Sequence, residues 1–262
     1  LTAKELALRF NPFLIVFARY LSQLILLLII FNKQFKTHLK SNHKPLQILR
    51  GALLMITTCF MFTGLAYLQF AENISIYMIG PVITTILAIL ILKEKISFTQ
   101  IFVVIIGLIG ALIIASPNKG AFNYAVIFPF LAALCFAFFT ISTKFLNTSD
   151  SNQTTLLFTA ITGTILSLPF IIYFWKWPNL NDAILMFCLG FLATAGHFLF
   201  IEALKVINAS FAAPFVYLTV LLAAFWGYIL YDEIPSQSTF IGAFLIITSG
   251  FIITRFKKKN FK

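Results

Sequence analysis

Apolar runs of 17 to 21 residues dominate the chain from Phe13 to Thr254, and short polar joints separate them. Nine can be counted, at approximately 13–31, 51–69, 74–92, 98–115, 124–143, 154–174, 183–203, 210–230 and 238–254. A helix rising 1.5 Å per residue needs about 20 such residues to cross a hydrocarbon core roughly 30 Å thick. Within lipid the backbone must satisfy its own hydrogen bonds, so each run is expected to be a helix. The pattern predicts an all-α, multi-pass membrane protein with no separate soluble domain.

Composition agrees. Of 262 residues, 60% are hydrophobic and 10% charged, against roughly 45–50% and 25% in soluble domains. The net charge of +11 does not describe a nucleic-acid surface, because the basic residues gather at span ends. If the joint after the first run is cytoplasmic, so are alternate joints. That side carries fourteen Lys and Arg, with Arg50 counted among them, against four on the other. The bias places the C-terminus inside the cell and the first residues outside. Cys59, Cys135 and Cys188 each stand alone within apolar runs and read as small buried residues, with no metal or redox grouping.

Sliding the chain by 139 residues superposes Gly51 on Gly190, Leu53 on Leu192, Leu65 on Leu204 and Glu94 on Glu233. Five spans lie within that offset, an odd number, so the two copies have opposite orientation. Inverted repeats of this kind serve alternating access in secondary transporters. The repeats are expected at 1–116 and 117–262. The second shows five spans and the first four, and the chain opens with Leu. A tenth helix preceding Leu1 is therefore expected.

The residues along these repeats carry a resemblance. Gly80-Pro81, Lys93-Glu94-Lys95, Gln100 and Gly107 to Gly110 mark the first half. Gly196-His197-Phe198, Glu202-Ala203, Ala209-Ser210, Ala213-Pro214-Phe215, Tyr217, Gly227-Tyr228, Pro235, Thr239 and Gly242 mark the second. The chain resembles the EamA-type ten-helix carriers of the drug/metabolite transporter superfamily, and its branch is similar to S-adenosylmethionine uptake carriers. The resemblance implies inverted five-helix repeats around a central cavity, and a bacterial inner-membrane carrier of a small organic metabolite. The metabolite expected is S-adenosylmethionine or an amino-acid derivative. A competing expectation is a truncated membrane protein that transports nothing and has a scaffold role or none.

Several residues are candidates for the cavity. His197 lies deep in its run, where an imidazole can bind substrate or take a proton. Glu202, five residues on, is turned about 140° away and sits near the cytoplasmic end. Tyr77, Tyr217 and Trp226 offer aromatic faces with polar tips to a cationic or aromatic metabolite. Pro81 and Pro214 interrupt their runs and are hinge candidates, since proline removes an intrahelical hydrogen bond. Arg19, within the first run, reads as a packing or anchoring group whose stem can snorkel outward. Glu94 and Glu233 read as solvated or capping. Gly107 with Ala111, Ala133 with Ala137 and Ala223 with Gly227 are small pairs suited to close helix packing. No catalytic signature, metal cluster or cofactor motif is present, so no enzyme activity and no cofactor are expected. The expected partners are a small-molecule substrate, the lipid bilayer and, as an option, a second copy in a homodimer.

Overall fold

Each expected run is helical in the computed structural model, which describes residues 6, 9–68, 70–115, 124–231 and 237–260. The main helices are α1 (Pro12–Phe31), α2 (Lys44–Tyr67), α3 (Phe70–Tyr77), α4 (Gly80–Leu90), α5 (Phe98–Ala115), α6 (Ile127–Leu146), α7 (Asn152–Phe174), α8 (Leu180–Val206), α9 (Leu218–Tyr231) and α10 (Gln237–Asn260). Short one-turn and 3-10 segments join some of them, and there is no strand among the described residues. Six helical segments among these residues are long and apolar enough to cross a membrane. Gly80–Leu90, Phe98–Ile113 and Gln237–Ile253 are apolar but shorter.

The helix starts follow from local chemistry. Asn11 caps α1 by accepting from the Phe13 N–H at 3.0 Å, and Pro12 occupies the first turn, where its missing N–H costs nothing. Ser151 caps α7 through the Thr154 N–H at 3.1 Å.

Two of the nine runs are not continuous α-helices. The run 74–92 is divided between α3 and α4, with Gly80-Pro81 opening the second piece. The run 210–230 begins as a turn of helix at Ala209–Ala212, passes through a 3-10 segment at Ala213–Tyr217 that contains Pro214, and becomes α9. In both, proline cannot donate to the carbonyl one turn earlier, and the helix restarts there.

The chain forms two compact units, Leu1–Phe62 with Phe138–Val206, and Thr63–Ala137 with Ile207–Lys262. Each draws on both halves of the sequence. In the first unit α1 packs against α7 and α8. Gly163 of α7 lies against the Tyr20 ring, and Gly190 of α8 lies against Ser22 and the α1 backbone at Arg19 and Gln23. These small residues bring the helices close and bury Tyr20 and Gln23 completely.

In the second unit α10 packs along α5, with Gly110 facing the Gly242 carbonyl and Ile246. Ile246, Ser249 and Ile253 are buried on one face of α10, while Phe240, Phe244, Ile247 and Phe251 are exposed on the other. An exposed stripe of large apolar residues suits a lipid-facing surface.

Candidate functional site

The first unit contains two guanidinium groups within its helices. Arg19 stands about 10 Å along α1. It is half-buried, and its Nη1 donates to Thr58 Oγ1 of α2 at 3.1 Å. Its Nη2 lies 2.8 Å from His197 Nε2 of α8. A guanidinium only donates, so Nε2 is the acceptor, and the imidazole is neutral with its proton on Nδ1. Arg19 is thus joined to neighbouring helices, where the sequence suggested an anchoring side chain.

Arg50 lies inside α2 and is fully buried, although its position beside a basic joint read as a loop cation. Its Nε donates to Thr143 Oγ1 at 2.6 Å. Its Nη1 donates to Thr159 Oγ1 and, at 3.5 Å, to the Thr155 carbonyl. Nη2 has no partner among the described residues. The guanidinium covers the Phe139 ring, 4.4 Å from its centroid. The other side of that contact leads to His197, whose ring meets Phe139 edge-on at 5.9 Å. Arg50, Phe139, His197 and Arg19 therefore form one continuous line of contacts across α2, α6, α8 and α1.

Among the described residues no carboxylate belongs to this line. The described acidic side chains of the unit are all engaged elsewhere. Asp182 pairs with Arg9 at 2.9 Å. Glu202 accepts from Asn152 and lies 3.8 Å from Lys205, so it serves the end of α8 and is not brought to His197. Asp150 accepts from Ser41 Oγ at 2.5 Å, the Asn42 N–H at 3.0 Å and Gln47 Nε2 at 2.8 Å.

Asp150 lies in the joint between α6 and α7. Partial burial raises its carboxyl, but the bonds from Ser41, Gln47 and the Asn42 backbone, with the nearby His43, outweigh this and hold it below its ordinary value. A depressed folded-state value stabilises the joint above the unfolded carboxylate value, about 4, and that stability is lost as pH falls through the folded value. The unfolding temperature of the solubilised protein is expected to exceed that of Asp150→Asn at pH 6. The gap is expected to close when the scan is repeated towards pH 3. A gap that stays constant across that range contradicts this assignment.

The aromatic candidates belong to the second unit. Tyr217 is fully buried, its ring against Gly107. Its Oη has no hydrogen-bond partner among the described residues. Tyr77 joins Tyr217 in one apolar cluster with Met78, Ala111 and Ile246, and meets Phe136 at 5.9 Å. Trp226 is exposed and touches Phe225 at 5.5 Å. Pro81 and Pro214 stand at the two helix breaks already described.

Glu94 acts as a cap in this unit. Lys93 adopts a positive φ of 53°, which turns the chain so that the Glu94 N–H reaches the Ala88 carbonyl at 3.1 Å. The carboxylate then accepts from the Ala209 and Ser210 N–H groups at 2.9 and 3.1 Å and from Ser210 Oγ at 2.5 Å. A carboxylate at a helix start satisfies donors that have no partner in the helix. Glu233 lies outside the described residues.

Apolar spans, two helices broken at proline, and bonded polar groups deep within a helical unit define a multi-pass membrane protein with polar chemistry inside its helices. The chain matches the EamA-like transporter family over residues 1–116 and 123–255 and belongs to that family. It is 29% identical over 258 residues to the S-adenosylmethionine uptake transporter of Rickettsia prowazekii (strain Madrid E), a match spanning 98% of this chain and 88% of that protein. It is 30% identical over 257 residues to the S-adenosylmethionine uptake transporter of Rickettsia bellii (strain RML369-C), again spanning 98% and 88%. A riboflavin transporter of Vibrio cholerae is 27% identical over 215 residues, 81% of this chain and 72% of the other. One solved crystal structure shares the fold with a TM-score of 0.83 at 15% identity, covering 98% of this chain and 94% of its own.

Proposed function

We propose that the protein imports S-adenosylmethionine, or a closely related amino-acid derivative, across the bacterial inner membrane by alternating access. The observation that carries this reading is the similarity to S-adenosylmethionine uptake transporters along nearly the whole chain. Two inverted repeats, 1–116 and 117–262, supply the moving parts. The breaks at Gly80-Pro81 and Ala213-Pro214 act as hinges, because a helix whose hydrogen-bond ladder is interrupted at proline changes angle there at less cost. In the first unit His197 offers a neutral polar group, and Glu202 stands at the cytoplasmic end of α8. In the second, Tyr77, Tyr217 and Trp226 offer aromatic surface to a cationic or aromatic metabolite. Transport draws on an existing gradient or on exchange of metabolites.

Growth tests this reading in cells. A bacterium unable to make S-adenosylmethionine is expected to grow on the external metabolite when it expresses this protein, and not when it carries the empty vector. Failure to grow, with the protein shown to be inserted in the membrane, contradicts the assignment.

A further inference from the structure

We infer that Arg19 is the anion subsite of the carrier and holds the carboxylate of the transported metabolite, with His197 and Thr58 orienting its guanidinium. This rests on the proposed function and names the part of the substrate that the first unit recognises.

The inference follows from charge. Arg19 and Arg50 place two permanent positive charges within the spans of one unit, where charge is costly to insert. Such charges ordinarily face the bundle interior or a water-filled cavity and pair with one another or with backbone carbonyls. Here the described acids of the unit are committed to Arg9, Lys205, Asn152 and the Ser41–Gln47 joint. Among the described residues Arg19 instead bonds neutral groups, the Thr58 hydroxyl and the His197 imidazole, and its guanidinium lies 4.8 Å from the Tyr20 ring centroid. These use one hydrogen each from Nη1 and Nη2, and a guanidinium has five.

Accessibility separates the two cations. Arg50 is fully enclosed, whereas Arg19 and His197 are half-buried. Arg19 is thus the cation that a solute can reach, and its remaining donors call for polar surroundings, since hydrocarbon offers them no partner. A guanidinium oriented by two bonds and with donors left over suits a carboxylate, which accepts charge-assisted hydrogen bonds from it. Arg50, behind the Phe139 ring, adds a second positive field and an unpartnered Nη2, so the line of contacts as a whole favours an anionic group. A monoanion held by Arg19 offsets one of the two positive charges of this line. An amino-acid carboxylate meets that requirement, and S-adenosylmethionine carries one.

Competition for uptake of labelled S-adenosylmethionine into proteoliposomes tests the inference on the unaltered protein. Decarboxylated S-adenosylmethionine, which keeps the adenine and the sulfonium, is expected to compete about 10- to 100-fold more weakly, the loss of one charge-assisted contact. In Arg19→Gln the concentration for half-maximal uptake of S-adenosylmethionine rises by a similar factor while the decarboxylated compound is unaffected, and Arg19→Lys recovers part of the discrimination. Equal competition in the unaltered protein, or equal weakening of both compounds in Arg19→Gln, overturns the inference and leaves the proposed function standing. If the unaltered protein takes up no S-adenosylmethionine, the proposed function fails. Arg19 is then judged by thermal stabilisation of the solubilised protein with amino acids and their decarboxylated amines. An amino acid that stabilises while its amine does not, through an effect that Arg19→Gln abolishes, upholds the subsite. Absence of any such pair overturns it.

Discussion

Gly163→Val is expected to unfold the first unit or to leave it without uptake, whereas Gly196→Ala is expected to be silent. A Cβ at Gly163 overlaps the Tyr20 ring, and Tyr20 is fully buried with no space to turn away. The branched side chain must then push α1 away from α7. Overpacking of this kind costs about 1–3 kcal/mol in ordinary cores, and here the displaced helix also carries Arg19. A Cβ at Gly196 meets nothing within 4 Å, although it neighbours His197 in sequence. Alanine there improves helix propensity by up to about 1 kcal/mol. Unfolding temperature in detergent and uptake per folded protein check both variants. Equal effects at the two glycines contradict the packing described.

Arg50→Met is expected to remove at least nine-tenths of uptake while the unfolding temperature holds or rises. The hydroxyls that Arg50 bonds also donate to their own helices, Thr143 to the Phe139 carbonyl and Thr159 to the Thr155 carbonyl, each at 2.7 Å. Removing the guanidinium therefore leaves no buried donor stranded. Replacing buried charge by apolar bulk is often neutral or stabilising by about 1–4 kcal/mol, and the insertion cost of the charge disappears as well. The positive field of Arg50 is expected to serve transport, not stability. If the unfolding temperature falls and uptake falls only with the folded fraction, Arg50 is a structural residue and its place beside the anion subsite is withdrawn.

The spans were legible because a bilayer imposes length and apolarity on each segment separately, and those are sequence properties. The two breaks were legible for a similar reason, since Pro81 and Pro214 act on their own helices. The pairing of Arg19 with His197 was not, because it joins residues 178 positions apart. It depends on the close approach of α1 to α7 and α8 at Gly163 and Gly190. Arg50 was misread as part of a basic joint because Lys44 opens the same helix only six residues earlier. Thr155, Thr159 and Thr162, spaced along one side of α7, were a signal that something polar lay opposite. Glu94 was readable as a cap from its place after an apolar run, but its recipients, Ala209 and Ser210, are more than a hundred residues away.

Carriage of S-adenosylmethionine by this member of the EamA-like family, as proposed, is tested most directly by counterflow in proteoliposomes of the purified protein, with unlabelled S-adenosylmethionine inside and a trace of labelled compound outside. Transient accumulation of label above its equilibrium level is expected, absent from protein-free vesicles and suppressed by excess external S-adenosylmethionine. Counterflow of riboflavin with none of S-adenosylmethionine, in the same vesicles, contradicts it.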